Sequence, residues 1–339
     1  MRVLAAPDSY KGTASAAEIA AAIGHACWEL DMDCVELPMS DGGDGLLDVL
    51  GGANRTTTVT GPLGDPVEAM WRMSGDTAVI EMARASGLVL AGGAENNDAL
   101  DATTTGVGEL IDHALDAGAA RIIVGLGGSA TTDGGFGAIR AINAIARLRH
   151  VELLVGCDVT TRFTDAASVF GPQKGATPAQ VKLLTRRLDR LVQMFADDFD
   201  VDVSDIEGGG AAGGLGAALA AMGGRLVPGV ELVADELDLF DHLDGEQPVD
   251  LVITGEGRFD ETSLKGKVVG SVAGFAADAG VAVAAVVGEA DDHTRERVAS
   301  SLRVEALTDR FGLDEATNEP RRCVEAVASA LLAELSDRR

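Results

Sequence analysis

The residues with the clearest chemical potential lie in the stretch Gly125–Gly137. Six glycines, three hydroxyl residues (Ser129, Thr131, Thr132) and one carboxylate, Asp133, share these positions. The tail Thr132-Asp-Gly-Gly-Phe-Gly137 echoes Ser40-Asp-Gly-Gly-Asp-Gly45 near the N-terminus. Glycines let backbone N–H groups come close to an anion, and hydroxyls add donors. An aspartate amid such donors can hold a cation. Tight turns alone seldom need this many glycines around an acid. The two loops therefore suggest a site for a phosphate and a divalent metal.

Lysine usage points the same way. The chain has 22 arginines but only five lysines, and four of the five adjoin a glycine: Lys11, Lys174, Lys265 and Lys267. A lysine kept in a glycine-rich loop is expected where a compact, flexible positive charge is needed. Further candidates are Asp8 beside Lys11, Asp41 with Asp44, Ser129 with Asp133, and Asp158. Gln173 with Lys174, and Glu256 with Arg258 and Asp260, complete the set. Cations, carboxylates and backbone donors are the parts of a phosphoryl-transfer site, where Mg²⁺ is shared between acids and nucleotide. An acceptor hydroxyl also needs a carboxylate to take its proton.

Other chemistries find less support. No lysine is followed by Ser or Thr, so there is no Walker A loop. Gly208–Gly213 fits G-x-G-x-x-G formally, but it follows an acidic segment and not a clear strand. Close packing or a site wall is the better expectation there. The five histidines lack metal-ligand spacing, and His25 and His113 fall on expected helices in packing or surface roles. No G-x-S-x-G elbow is present, so Ser129 reads as a phosphate donor and not a nucleophile.

These residues need a frame. Arg2–Ala6 reads as a strand, Ser15-Ala-Ala-Glu18 opens a helix to about Leu30, and Cys34–Leu37 is the next strand. In that βαβ unit Lys11 and Asp41 leave the same carboxyl edge, where α/β folds place ligands. Residues 57–60, 67–73 and 77–82 read as a β-meander. A helix over Gly106–Ala117 and strands at Arg121–Gly125 and Val151–Gly156 follow. Thr177 and Pro178 start an amphipathic helix to about Phe195, and Gly208–Gly216 leads into an Ala-rich helix. The pattern returns to βαβ with strands at Asp250–Thr254 and Val281–Val287 and helices near 268–279 and 320–336. The fold class expected is α/β with two lobes. One lobe comprises 1–56 plus 235–339, the other is an inserted lobe at 57–234, and the site is expected in the cleft between them.

The 339-residue length supports two cores. A net charge of −27 repels nucleic acid and anionic membranes, so any anion site must carry its own cations. Aromatics at 4% leave little for stacking on bases. Scattered Cys27, Cys34, Cys157 and Cys323 read as reduced thiols, and no signal peptide or membrane span is seen. A cytoplasmic protein is expected.

The motifs closely resemble those of the glycerate kinase type 1 family. They are Ala6–Gly12, with Tyr10 where the family usually has Phe, then Pro38–Gly45, Val59–Pro66 and Ala78–Ala83. Gly125–Gly135, Val169–Ala176 and Ile253–Arg258 continue the match in family order. The resemblance implies a flavodoxin-like parallel-sheet lobe and an inserted mixed lobe like a restriction-endonuclease core. It also implies ATP- and Mg²⁺-dependent phosphorylation of D-glycerate, most often to 2-phosphoglycerate. The chain departs from the family after Ile145, where Ala146–His150 replaces a longer segment, and Cys157–Thr164 lacks a frequent Asn-Pro.

With that resemblance, Asp8 or Asp41 is expected to orient or deprotonate the acceptor hydroxyl. Lys11, with Lys174 or Lys265, would stabilise phosphates, and Arg258 would bind a carboxylate or phosphate. Ser9, Gly42, Gly43, Gly127, Gly128, Ser129 and Glu256 complete the expected substrate and phosphate contacts, and Asp133 and Asp158 are the expected Mg²⁺ residues. Small-molecule partners are expected, with a homodimer left open. The alternatives are a non-catalytic sensor of a phosphorylated metabolite, transfer to the 3-hydroxyl, and a nicotinamide-dependent oxidoreductase resting on Gly208–Gly213 alone.

Overall fold

The computed structural model describes residues 1–337. Their strands, in chain order, are β1 (Arg2–Pro7), β2 (Asp33–Glu36), β3 (Arg55–Thr60), β4 (Pro66–Ser74), β5 (Thr77–Glu81), β6 (Arg121–Gly125) and β7 (Glu152–Cys157). They continue as β8 (Arg225–Pro228), β9 (Leu251–Gly255), β10 (Arg258–Phe259), β11 (Ala282–Val287), β12 (Glu289–Ala290) and β13 (Arg303–Ala306). The chain forms two compact units, Met1–Asp41 with Val230–Arg339, and Gly42–Gly229.

In the first unit a parallel sheet runs β13-β11-β9-β1-β2. Numbered within the unit, that order is 2-1-3-4-5, the flavodoxin-like arrangement. Alternation along β11 sends Ala284 and Val286 to one face and Ala285 and Val287 to the other. Helices Ala16–Glu29 and Pro320–Asp337 cover the first face, and helix Val268–Asp278 the second. The capping box forms as its spacing predicts: Glu18 N–H donates to Ser15 Oγ at 3.3 Å, and Ser15 N–H to Glu18 Oε2 at 3.0 Å.

The second unit is built on a mixed sheet, β3-β4-β5-β6-β7-β8. β3, β4 and β5 form the antiparallel meander, and β5 through β8 are parallel. Leu110, Ile122, Val124, Val155 and Leu215 fill its core. The helix capped by Thr177 runs on to Phe199, and Asp200 closes it in a left-handed conformation. The shortened link after Ile145 is a 3₁₀ turn over Ile145–His150. Arg147 pairs with Asp116 at 2.7 Å, Asn143 Nδ2 donates to Asp112 at 2.7 Å, and Leu148 is buried, so the link packs well without the extra segment.

Gly208–Gly216 is a packing element. A methyl group at Gly213 would meet the Thr131 carbonyl oxygen at 2.0 Å, and one at Gly135 would meet Ala218 Cβ at 2.2 Å. Gly134 N–H donates to the Gly213 carbonyl at 2.9 Å. The glycines let a helix seat directly on the Gly125–Gly137 loop.

Candidate active site

In the first unit the order of the parallel strands reverses between β1 and β9, and ligand crevices form at such a switch point. A cavity of about 370 Å³ lies at the carboxyl ends of these strands. Asp8, Ser9, Lys11, Asp41, Glu256 and Arg258, all singled out in the sequence, line it together. Asp260, Lys267 and Glu289 join them.

Backbone bonds hold the loop after β1. Asp8 N–H donates to the Gly255 carbonyl and Tyr10 N–H to the Ala14 carbonyl, each at 2.8 Å. Tyr10 is buried, and its hydroxyl donates to the Val286 carbonyl at 2.7 Å. Tyr10 thus ties the loop after β1 to strand β11. The floor continues through Gly288 N–H to Glu256 O, Glu289 N–H to Gly257 O, and Thr308 N–H to Gly288 O, all at 3.0–3.1 Å.

Asp8 is only 8% exposed. Burial first, and the charge of Asp41 second, push its pKa up to about 7, while Ser9 N–H, 2.6 Å from its Oδ1, and Lys11 pull the other way. Such a carboxylate is poised to take a proton near neutral pH. Burial also raises the Glu256 pKa, against a Ser263 hydroxyl bond and Lys267. Glu256 Oε1 is buried without a hydrogen-bond partner. An orphaned acceptor on a cavity wall suits a cation.

The two lysines of Lys265-Gly-Lys267 separate. Lys265 is exposed and pairs with Glu261 at 3.1 Å, whereas Lys267 lines the cavity. The sequence marks the pair but cannot choose between positions two apart in an irregular loop.

The glycine loops belong to the second unit. A methyl group at Gly127 would lie 2.6 Å from Gly43 Cα, and one at Gly125 would lie 2.6 Å from the Gly42 carbonyl oxygen. A methyl group at Gly128 would meet Asp44 Oδ1 at 2.9 Å. The two echoing segments therefore pack backbone to backbone. Ser129 forms a β-bridge with Gly87. Asp133 spends its carboxylate inside its own unit: Oδ2 accepts from Thr104 N–H, Thr104 Oγ1 and Gly137 N–H, and Oδ1 from Gly135 N–H, at 2.8–3.1 Å. Lys174 is 3% exposed, its Nζ donates to the Thr131 carbonyl at 2.6 Å, and burial lowers its pKa to about 7. Asp158 is exposed just past β7.

Residues 3–147 and 143–336 match the model of the Glycerate kinase family, and the chain belongs to it. Membership makes the chain a kinase. The chain is 42% identical over 316 residues to the glycerate 2-kinase of Escherichia coli (strain K12), covering 81% of this chain and 82% of that one. It is 40% identical over 328 residues to a glycerate kinase of Bacillus subtilis (strain 168), covering 85% of each. A crystal structure of a candidate glycerate kinase 2 from Salmonella typhimurium LT2 superposes with a TM-score of 0.80 at 37% identity, covering 99% of each chain. Among the described residues no helix is long and apolar enough to cross a membrane.

Proposed function

We propose that the chain transfers the γ-phosphoryl group of ATP to the 2-hydroxyl of D-glycerate. One observation carries this reading: a buried carboxylate titrating near neutrality, Asp8, shares a switch-point cavity with Lys11, Arg258 and Lys267. The name of the Escherichia coli relative supports the 2-position.

Asp8 accepts the proton of the glycerate hydroxyl as its oxygen bonds to phosphorus and ADP leaves. Lys11 and Lys267 neutralise phosphate charge, and Arg258 binds the glycerate carboxylate or a phosphate. Ser9 presents a hydroxyl at the same wall. The cavity residues fit Mg²⁺, because Glu256 Oε1 is an unpartnered oxygen and Asp41 adds a second carboxylate. Bound there, Mg²⁺ would draw negative charge from the phosphates. Asp133, whose oxygens accept bonds from its own loop, is assigned to loop order instead, and Asp158 is left without a metal role. Lys174, with Gly42, Gly43, Gly127, Gly128 and Ser129, shapes the packed glycine loops.

The test is ADP release with D-glycerate by wild type and Lys11→Ala. The reading requires kcat/KM to fall at least tenfold, about 1.4 kcal/mol. A smaller loss removes Lys11 from the site.

A further inference from the structure

We propose that helix Leu307–Asn318 seats the purine base of the nucleoside triphosphate, with Leu313 as its apolar platform. This rests on the phosphoryl-transfer reading above and adds a place for the part of the nucleotide that does not react.

The cavity changes character along the sheet edge. Beyond β1, β2 and β9 its wall is charged, with Asp8, Lys11, Asp41 and Glu256. Beyond β13 it is built from Thr308, Leu313, Ala316 and Thr317. A nucleotide has the same polarity, anionic at one end and aromatic at the other. The strand order sets the separation. β13 stands three places from β1, about 14 Å at a strand spacing of ~4.8 Å. Ribose and an extended triphosphate together can bridge such a separation between the base and the reacting phosphoryl group. The backbone bonds linking Glu256, Gly257, Gly288, Glu289 and Thr308 keep this span fixed.

Leu313 is 65% exposed although it lines a cavity. Gly312, immediately before it, has φ +75° and ψ 169°, which interrupts the helix. A Cβ at Gly312 would meet nothing within 4 Å, so the glycine serves backbone conformation and not close packing. The break leaves Leu313 on the cavity wall with its side chain uncovered. A flat aromatic base would cover it, and Thr308 and Thr317 add hydroxyls for its ring nitrogens. About 370 Å³ lies within the ~300–1,000 Å³ of pockets for drug-sized ligands, more than a three-carbon acid fills.

The test is calorimetric titration of ADP and of pyrophosphate into wild type, Leu313→Asn and Leu313→Met, with KM for ATP and D-glycerate measured alongside. Leu313→Asn should weaken ADP at least fivefold and raise KM for ATP similarly. It should leave pyrophosphate affinity and KM for D-glycerate within twofold, and Leu313→Met should stay near wild type. ADP affinity unchanged in Leu313→Asn, or a loss shared equally by pyrophosphate, overturns the base seat even if glycerate is phosphorylated. If wild type binds ADP with the expected Leu313 dependence but makes no phosphoglycerate, the base seat stands and the glycerate reading falls. Absence of ADP binding to wild type defeats both.

Discussion

Asp8 and Asp41 stand on the exit loops of neighbouring parallel strands, β1 and β2, and face one cavity. Burial and the Asp41 charge together carry the Asp8 pKa from 3.8 to about 7. The unfolded chain ionises Asp8 near 3.9, so the folded chain holds the extra proton between these values. The stabilisation is complete below the unfolded pKa and is lost as pH rises through about 7. Asp8→Asn is therefore expected to raise the thermal midpoint at pH 8 in metal-free buffer and to change it little near pH 4. The gain is bounded by about 4 kcal/mol at 1.36 kcal/mol per unit. The same variant should lose at least a hundredfold in kcat. Differential scanning calorimetry at both pH values checks the first claim, and a midpoint that falls at pH 8 would refute it.

The acid limb of activity follows from the same group. If Asp8 must be ionised to accept the hydroxyl proton, kcat/KM should fall tenfold per pH unit below its pKa in the free enzyme. Asp41→Asn removes a neighbouring negative charge and should move that limb to lower pH. A pH–rate profile of both proteins reads this directly, and an unmoved limb would separate Asp8 from the proton transfer.

Lys267 and Lys265 offer a paired comparison. Lys267→Ala should reduce kcat/KM at least tenfold. Lys265→Ala, which breaks only an exposed pair with Glu261, should change it less than threefold. Steady-state kinetics on the two variants decide it, and the reverse order of effects would redraw the cation set.

Gly127 tests the packed loops. Its missing side chain admits Gly43 Cα to 2.6 Å and Asp44 N to 2.9 Å of the Cβ position. Both are backbone atoms and cannot swing aside. Gly127→Ala is expected to destabilise the protein by about 1–3 kcal/mol, as overpacking does. Gly118→Ala makes a control, since its Cβ would meet nothing and only its positive φ resists. Urea unfolding should show that the Gly127 variant exceeds the strain cost of the control.

Much of this was legible in the residues because the relevant signals are local. A glycine-rich loop after an apolar run, a capping box at Ser15 and Glu18, and the strand-like runs of β3, β4 and β5 separated by turn residues each declare themselves within a dozen positions. The formal G-x-G-x-x-G at Gly208–Gly213 follows an acidic segment and not a clear strand, which points to close packing or a site wall, and Gly213 packs against the Thr131 carbonyl. Partnership across the chain was not legible. Nothing near Asp133 shows that Thr104 will occupy its carboxylate, because that contact depends on two elements meeting in space. Short edge strands such as β8 and β13 carry too few residues for a periodicity. The wall at Thr308 and Leu313 is built of ordinary residue types, and only the sheet order brings it to the cavity.

The central claim is phosphoryl transfer from ATP to D-glycerate. Phosphorus NMR of the purified protein with ATP, Mg²⁺ and D-glycerate tests it most directly. The account predicts that the γ-phosphate resonance of ATP declines as a 2-phosphoglycerate monoester resonance and ADP appear in equal amounts. Intact ATP with no phosphoglycerate after prolonged incubation would contradict the activity, and 3-phosphoglycerate as the sole product would contradict the position of transfer.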